Sequence, residues 1–341
     1  MRKRTKIALA VLIVGLIVLL AGFALADFDL TNLTTNGDMT QRQYEAEGDV
    51  TQLVVSDLNA DVVITPSADG KARLTCWENE DLTYEISEEN GALRVEKHDG
   101  RQGFSLWFGV QQNVALEIEL PAGVAVEVST SSGAVQLEGD PEGASSPTVS
   151  LETSDGPIAV TNVSAGTVSL NTGNDSVDVE NVNADTLTVE TDNGPITVSD
   201  VQAGEISLHN DNDSVNVENV DADALTIETD NGPIGLNGVR AGKIALHTEN
   251  DDVRMDDVEA DTLEAVTDNG EIGFSALAAR ESLTLQTDNG NIRGTLAGEM
   301  RDYHIESETD GDNNLPEALD GEGVFLRVVT DNGDIDVTFA G

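Results

Sequence analysis

Apolar and polar positions in this chain recur with two nested periods. In residues 187–205, LTVETDNGPITVSDVQAGE, Leu187 and Val189 alternate with Thr188 and Glu190, and Ile196 and Val198 alternate with Thr197 and Ser199. Period two predicts strands with one buried face. Between them, Asp192-Asn193-Gly194-Pro195 is turn chemistry, because Asn and Gly tolerate positive φ and Pro cannot continue a central ladder. Val201 and Ala203 then return inward before Gly204 turns the chain into its next unit. The longer period is 19 residues: Val163 and Ala165 recur as Val182 and Ala184, Val201 and Ala203, Val220 and Ala222, Val239 and Ala241, Val258 and Ala260, and finally Leu277 and Ala279. A fixed period of this length means stacked coils, each burying its apolar face on its neighbours. The expected fold is an all-β, single-chain β-solenoid (β-helix). Helices are not expected, since Val, Ile, Thr, Asn, Asp and Gly dominate and no 3.6-residue stripe is present.

The period is also doubled. Residues 174–209 and 212–247 are near copies, and the turn position alternates as Gly156, Asp175, Gly194, Asp213, Gly232, Asp251, Gly270. After Gly270 the step slips to 20, giving Gly290, and residues 301–323 form the longest interruption, expected as a loop or a distorted coil.

Outside the coils the pattern changes. Arg2, Lys3, Arg4 and Lys6 precede an uncharged run over residues 7–26, whose 20 residues match the thickness of a bilayer core. Residues 1–26 therefore read as a basic cytoplasmic tip and an N-terminal transmembrane helix, with a signal peptide cleaved after Ala24-Leu25-Ala26 as the rival reading. Residues 27–43 read as a linker, 44–123 as an N-terminal β region capping the solenoid, and 124–341 as the solenoid repeats. Within the cap, Phe104, Leu106, Trp107 and Phe108 read as a plug over the first coil or as a contact with membrane or protein. The expected location is the bacterial cell surface, with a single-pass anchor and the bulk of the chain extracytoplasmic.

Charge narrows the partners. All 64 acids and 13 of the 17 bases follow residue 26, so the body carries a net charge of −51. Such a body excludes nucleic acid as a partner. One cysteine, Cys76, excludes an internal disulfide and a multi-cysteine metal site. No nucleophile motif is present, and Arg240, Lys243, Arg254, Arg280 and Arg293 form no column of the kind a polysaccharide-cleaving β-helix needs. The body is therefore expected to be non-enzymatic.

Candidate chemistry lies in the turns. Asp192, Asp211, Asp230, Glu249 and Asp268 occupy one place in five successive coils, beside an asparagine column from Asn174 to Asn269. Stacked amides bond along a column, whereas stacked carboxylates repel. Fanning into solvent relieves the repulsion, and so does Ca²⁺, which accepts carboxylate and amide oxygens. The candidate ligands are these five with Asp213 and Asp251. A second column, Glu152, Asn171, Glu190, His209, Glu228 and His247, mixes imidazoles with carboxylates and is expected as a surface ladder or a pH-responsive stripe.

Several features occur in one order: a single N-terminal membrane segment, an early strand–turn–strand at residues 53–64, a strand ending in Leu120-Pro121-Ala122-Gly123, the turn Ser131-Ser132-Gly133, and TDNG coils to the end. In this order the chain resembles the bacterial "putative adhesin" β-strand-repeat envelope proteins, a family of unknown function. The resemblance implies a membrane-tethered solenoid at the cell surface and supplies no catalytic residues. Two classes follow: a surface scaffold binding a cell-surface protein or glycan, and an extracytoplasmic sensor of envelope stress acting through a membrane protein.

Overall fold

The computed structural model describes residues 39–99, 115–140 and 142–341. The expected membrane segment, residues 27–38 of the linker and the Phe104–Phe108 cluster lie outside the described residues. Among those described, no helix is long and apolar enough to cross a membrane.

The strands are β1 (Thr40–Glu45), β2 (Gln52–Ser56), β3 (Val62–Pro66), β4 (Arg73–Glu78), β5 (Leu82–Glu89), β6 (Ala92–Asp99), β7 (Leu116–Leu120), β8 (Ala125–Thr130), β9 (Val135–Glu138) and β10 (Ser146–Thr153). Seven long strands follow: β11 (Ile158–Thr172), β12 (Val177–Thr191), β13 (Ile196–Asn210), β14 (Val215–Thr229), β15 (Ile234–Thr248), β16 (Val253–Thr267) and β17 (Ile272–Thr287). The chain closes with β18 (Ile292–Leu296), β19 (Tyr303–Glu308), β20 (Ala318–Leu319), β21 (Val324–Thr330) and β22 (Ile335–Phe339). All 22 join one sheet that winds as a β-solenoid.

Each regular coil is one long strand bent twice. In β11 the ladder to β12 runs over residues 158–161, 163–165 and 167–172, skipping Asn162 and Gly166. A coil thus has three straight faces, where the sequence suggests two. The first corner is the reason. Asn162, Asn181, Asp200, Asn219, Gly238, Asp257 and Ala276 all have φ between 49° and 64°. That left-handed residue shifts the alternation by one, so Val160 and Val163 both point inward, although they are three apart. Asn, Asp and Gly reach this conformation most cheaply. The extra residue behind the 20-residue step sits at the second corner, between Ala279 and Ser282, so the ladders on either side keep register.

The core is the expected one. Val163, Val182, Val201, Val220, Val239, Val258 and Leu277 are buried, as are Ala165, Ala184, Ala203, Ala222 and Ala260, with Ala241 and Ala279 packed partly against the core. A buried polar column closes each long face: Thr153, Thr172, Thr191, Asn210, Thr229, Thr248, Thr267, Thr287 and Thr330. The hydroxyls of Thr153, Thr191, Thr267, Thr287 and Thr330 each serve two rungs at once. Thr267 Oγ1 donates to the Asp251 carbonyl in the rung below at 3.0 Å and accepts from the Gly270 N–H of its own turn at 3.0 Å.

The ends are stacked out of sequence order. β2 lies between β6 and β8, and β3 lies between β7 and β9, so residues 52–66 form a coil of the stack rather than part of a separate cap. At the other end β21 lies between β17 and β19, and β22 stacks on β18. Residues 301–323, read as an interruption, supply the outermost strand β19 and the short β20 antiparallel to it. The linker also ends earlier than expected, because residues 40–43 are part of β1, which pairs antiparallel with β4. β1 has no buried face apart from half-buried Tyr44, so its residues show no alternation to read. Polar, twisted antiparallel strands at the edge discourage pairing with another chain.

Candidate functional site

The asparagine column is a continuous amide ladder. Asn174 donates to Asp155 Oδ1 at 2.7 Å; above it Asn193, Asn212, Asn231, Asn250, Asn269, Asn289 and Asn332 each donate to the asparagine below at 2.9–3.1 Å. Each of these amides also reaches a backbone carbonyl one rung down, as Asn212 does to Asp192 at 2.9 Å. The carbonyl oxygens expected as Ca²⁺ ligands are therefore occupied by the ladder itself. The carboxylates beside them stand one per rung. Asp192, Asp230, Glu249 and Asp268 are exposed, Asp211 lies 3.2 Å from His209 Nε2, and Asp213 and Asp251 accept the next backbone N–H at 2.7 and 2.8 Å. Among the described residues no three such groups gather around one point as a metal ion requires.

The imidazole–carboxylate column is real as geometry. Glu152, Asn171, Glu190, His209, Glu228 and His247 are successive partners in the ladder. Asn171 donates to Glu190 at 3.2 Å, and His209 Nδ1 lies 4.0 Å from Glu228. All are surface contacts, which contribute little in water.

Sequence reasoning missed a notch on the first face. There the outward column reads Thr197, Asn216, Gly235, Arg254, Gly273, and its neighbour reads Ser199, Glu218, Asn237, Asp256, Ser275. With no side chains at Gly235 and Gly273, a groove of about 420 Å³ opens along the solenoid axis. Around the first corner lies a second hollow of about 370 Å³, lined by Asp200, Gln202, Asn219, Asp221, Gly238 and Arg240. Gly238 stands where most other coils carry Asn or Asp. The signal was three glycines in one coil, IGLNGVRAG, at the place where bases return, since no Lys or Arg lies between Arg101 and Arg240. Arg254 pairs with Asp252 at 2.6 Å, and Arg240 lies 3.7 and 3.8 Å from Asp257 and Glu259. Arg254 and Arg293 do share a column, with Gly273 between them. Cys76 is buried, and burial pushes its thiol up to about 11, so it is held as an unreactive small apolar group.

Residues 50–207 and 183–338 each match the Toastrack DUF4097 model. The chain belongs to the Toastrack DUF4097 family. The two Toastrack matches overlap within the regular coils, as expected where successive rungs are alike. Among solved structures, a "putative adhesin" from Bacteroides fragilis is similar at 12% identity, with 90% of this chain and 99% of that one covered and a TM-score of 0.29. A "putative lipid binding protein" from Parabacteroides distasonis is 17% identical over 89% of this chain and 97% of that one, with a TM-score of 0.40. A "putative adhesin" from Parabacteroides merdae is 13% identical over 89% and 97%, with a TM-score of 0.36. No curated protein matches this Toastrack chain.

Proposed function

We propose that this Toastrack protein is a non-enzymatic binding scaffold displayed outside the cell, tethered through residues 7–26, with the first-face notch as its ligand seat and a glycan chain as its ligand. The notch is the observation that carries the reading. It crosses five rungs, about 19 Å from first to fifth at the ladder spacing, so it suits a polymer lying along the axis rather than a compact metabolite. Thr197, Ser199, Asn216, Asn237 and Ser275 offer hydroxyls and amides on four of the five rungs, and Glu218 and Asp256 offer carboxylate acceptors for sugar hydroxyls. The bare backbone at Gly235 and Gly273 gives flat ground for a ring.

The test is co-sedimentation of the full chain with cell-wall polysaccharide, compared with Gly235→Gln and Asn237→Ala. The first variant fills the groove and the second removes a donor and an acceptor. Loss of co-sedimentation in both is expected. Unchanged retention by both variants rejects the notch as the seat. The sensor reading is favoured by the short span, residues 27–39, between the apolar run and β1, which keeps the body near the bilayer. Capture of one integral membrane protein, without polysaccharide retention, would replace the scaffold reading by that one.

A further inference from the structure

The N-terminal end holds a buried cluster that the notch does not use. Asp57 follows β2 directly, one residue past Ser56, which pairs with Glu96 of β6 and Ser129 of β8. Asp57 and Lys97 thus continue, at the first two rungs, the buried polar column that threonines fill elsewhere. The Asp57 side chain is fully buried and that of Lys97 is 8% exposed, with Nζ 3.0 Å from Oδ1. Oδ1 also accepts the backbone N–H groups of Leu58, Asn59 and Ala60 at 2.6–2.9 Å, and Oδ2 accepts from Tyr84 Oη at 2.7 Å. Lys97 Nζ sits over the Tyr84 ring, 5.7 Å from its centre. The third neighbour of Nζ is the side-chain carbonyl of Asn59, at 2.8 Å.

Lys97 Nζ donates to the amide oxygen of half-buried Asn59 while it pairs with a buried carboxylate, so an amine, a carboxamide and a proton acceptor lie side by side. We infer that Lys97 and Asn59 form an isopeptide bond in the mature protein, with Asp57 as the proton carrier. Asp57 takes a proton from the Lys97 ammonium across the 3.0 Å contact. The freed amine attacks Asn59 Cγ, forming the Nζ–Cγ bond. The Cγ–Nδ2 bond then breaks as Asp57 returns the proton to the departing nitrogen, which leaves as ammonia. Of the three ammonium protons, one remains as the new amide N–H and one leaves on ammonia. The third passes to Asp57 and then to solvent. No oxidant, cofactor or second substrate is consumed.

The product joins β6, whose other edge carries antiparallel β5, to the rung beneath it, at the end of the stack where a solenoid frays first. This chain has one cysteine and so no internal disulfide to do the same. The inference does not depend on what the notch binds.

Peptide mapping of the full chain by mass spectrometry decides it. Trypsin should fail to cut after Lys97. Residues 95–101 should appear joined to residues 43–71, lighter by one ammonia than the two peptides together. In Lys97→Arg, which keeps the charge beside Asp57 but cannot form the amide, cleavage after residue 97 should return and the peptides should separate. Wild-type peptides found separate, at their full masses, overturn the inference. Asp57→Asn should leave the bond unformed in chains that still show the far-ultraviolet spectrum of the wild type. A complete bond in that variant would remove Asp57 from its assigned role.

Discussion

Gly232 makes the sharpest test of the coil geometry. A Cβ added there would lie 1.8 Å from the Asp213 carbonyl oxygen and 2.4 Å from its carbon, both backbone atoms of the rung below. Ordinary contact begins near 3.4 Å, so the two turns would have to separate by roughly 1.6 Å, a third of the ladder spacing. Two bonds stand in the way: Asn231 N–H to the Asp211 carbonyl at 2.9 Å and the Asn231–Asn212 amide bond at 3.1 Å. Overpacking costs about 1–3 kcal/mol and each bond lost about 1, so Gly232→Ala should destabilise by about 3–5 kcal/mol. Gly232 is not left-handed, so backbone strain adds nothing. Asp213→Ala, in the same column one rung down, should cost only about 0.5–1 kcal/mol, because it loses only the 2.7 Å bond to Ser214 N–H. The same contact recurs where Gly194 overlies Asp175, Gly270 overlies Asp251 and Gly290 overlies Gly270. Thermal unfolding followed by circular dichroism, with hydrogen exchange at residues 211–214 and 230–233, separates global from local loss. Equal shifts for the two variants would refute the argument from close approach.

Other outcomes follow from the same geometry. Ala276 is the one left-handed corner among the regular coils filled by neither Asn, Asp nor Gly, and Ala276→Gly should raise stability by about 0.5–1 kcal/mol in denaturant titration. Ala222 is 7% exposed, so Ala222→Leu should overpack its coil and lower stability by about 1–3 kcal/mol, read from the same titration. At the N-terminal edge a hydrogen bond from Arg73 holds Asp69 down to about 2, against 3.8 normally. A carboxyl with a depressed pKa stabilises above its unfolded value and loses this as pH falls, so exchange in β1 and β4 should rise between pH 3.8 and about 2 before it rises in β12–β16. Millimolar Ca²⁺ and Na⁺ of matched ionic strength should raise the Tm equally, since the ladder occupies the amide oxygens; a Ca²⁺-specific shift would show that a cation site assembles at the turns.

The sequence by itself determined the coil. Alternation, turn residues and the 19-residue step are local, and each acts through a nearest-neighbour rung, so the Val and Ala columns, the amide ladder and the His209–Glu228–His247 register could all be read from spacing. The third face was written there too, as Asn, Asp or Gly before each inward Val, but it breaks period two and so hides from a search for alternation. The notch was legible only as three glycines in one coil; that Gly235 and Gly273 line one groove follows from stacking. The order of the end rungs was not written in the repeat. A strand with the right alternation fits any rung, so nothing local says that β2 and β3 lie inside β6 and β7, or β21 inside β19. Connection lengths and side chains distant in sequence decide that. Asp57 and Lys97 look like ordinary surface residues until the fold sets β2 beside β6 and buries both side chains next to Asn59, where a charge must find its partner.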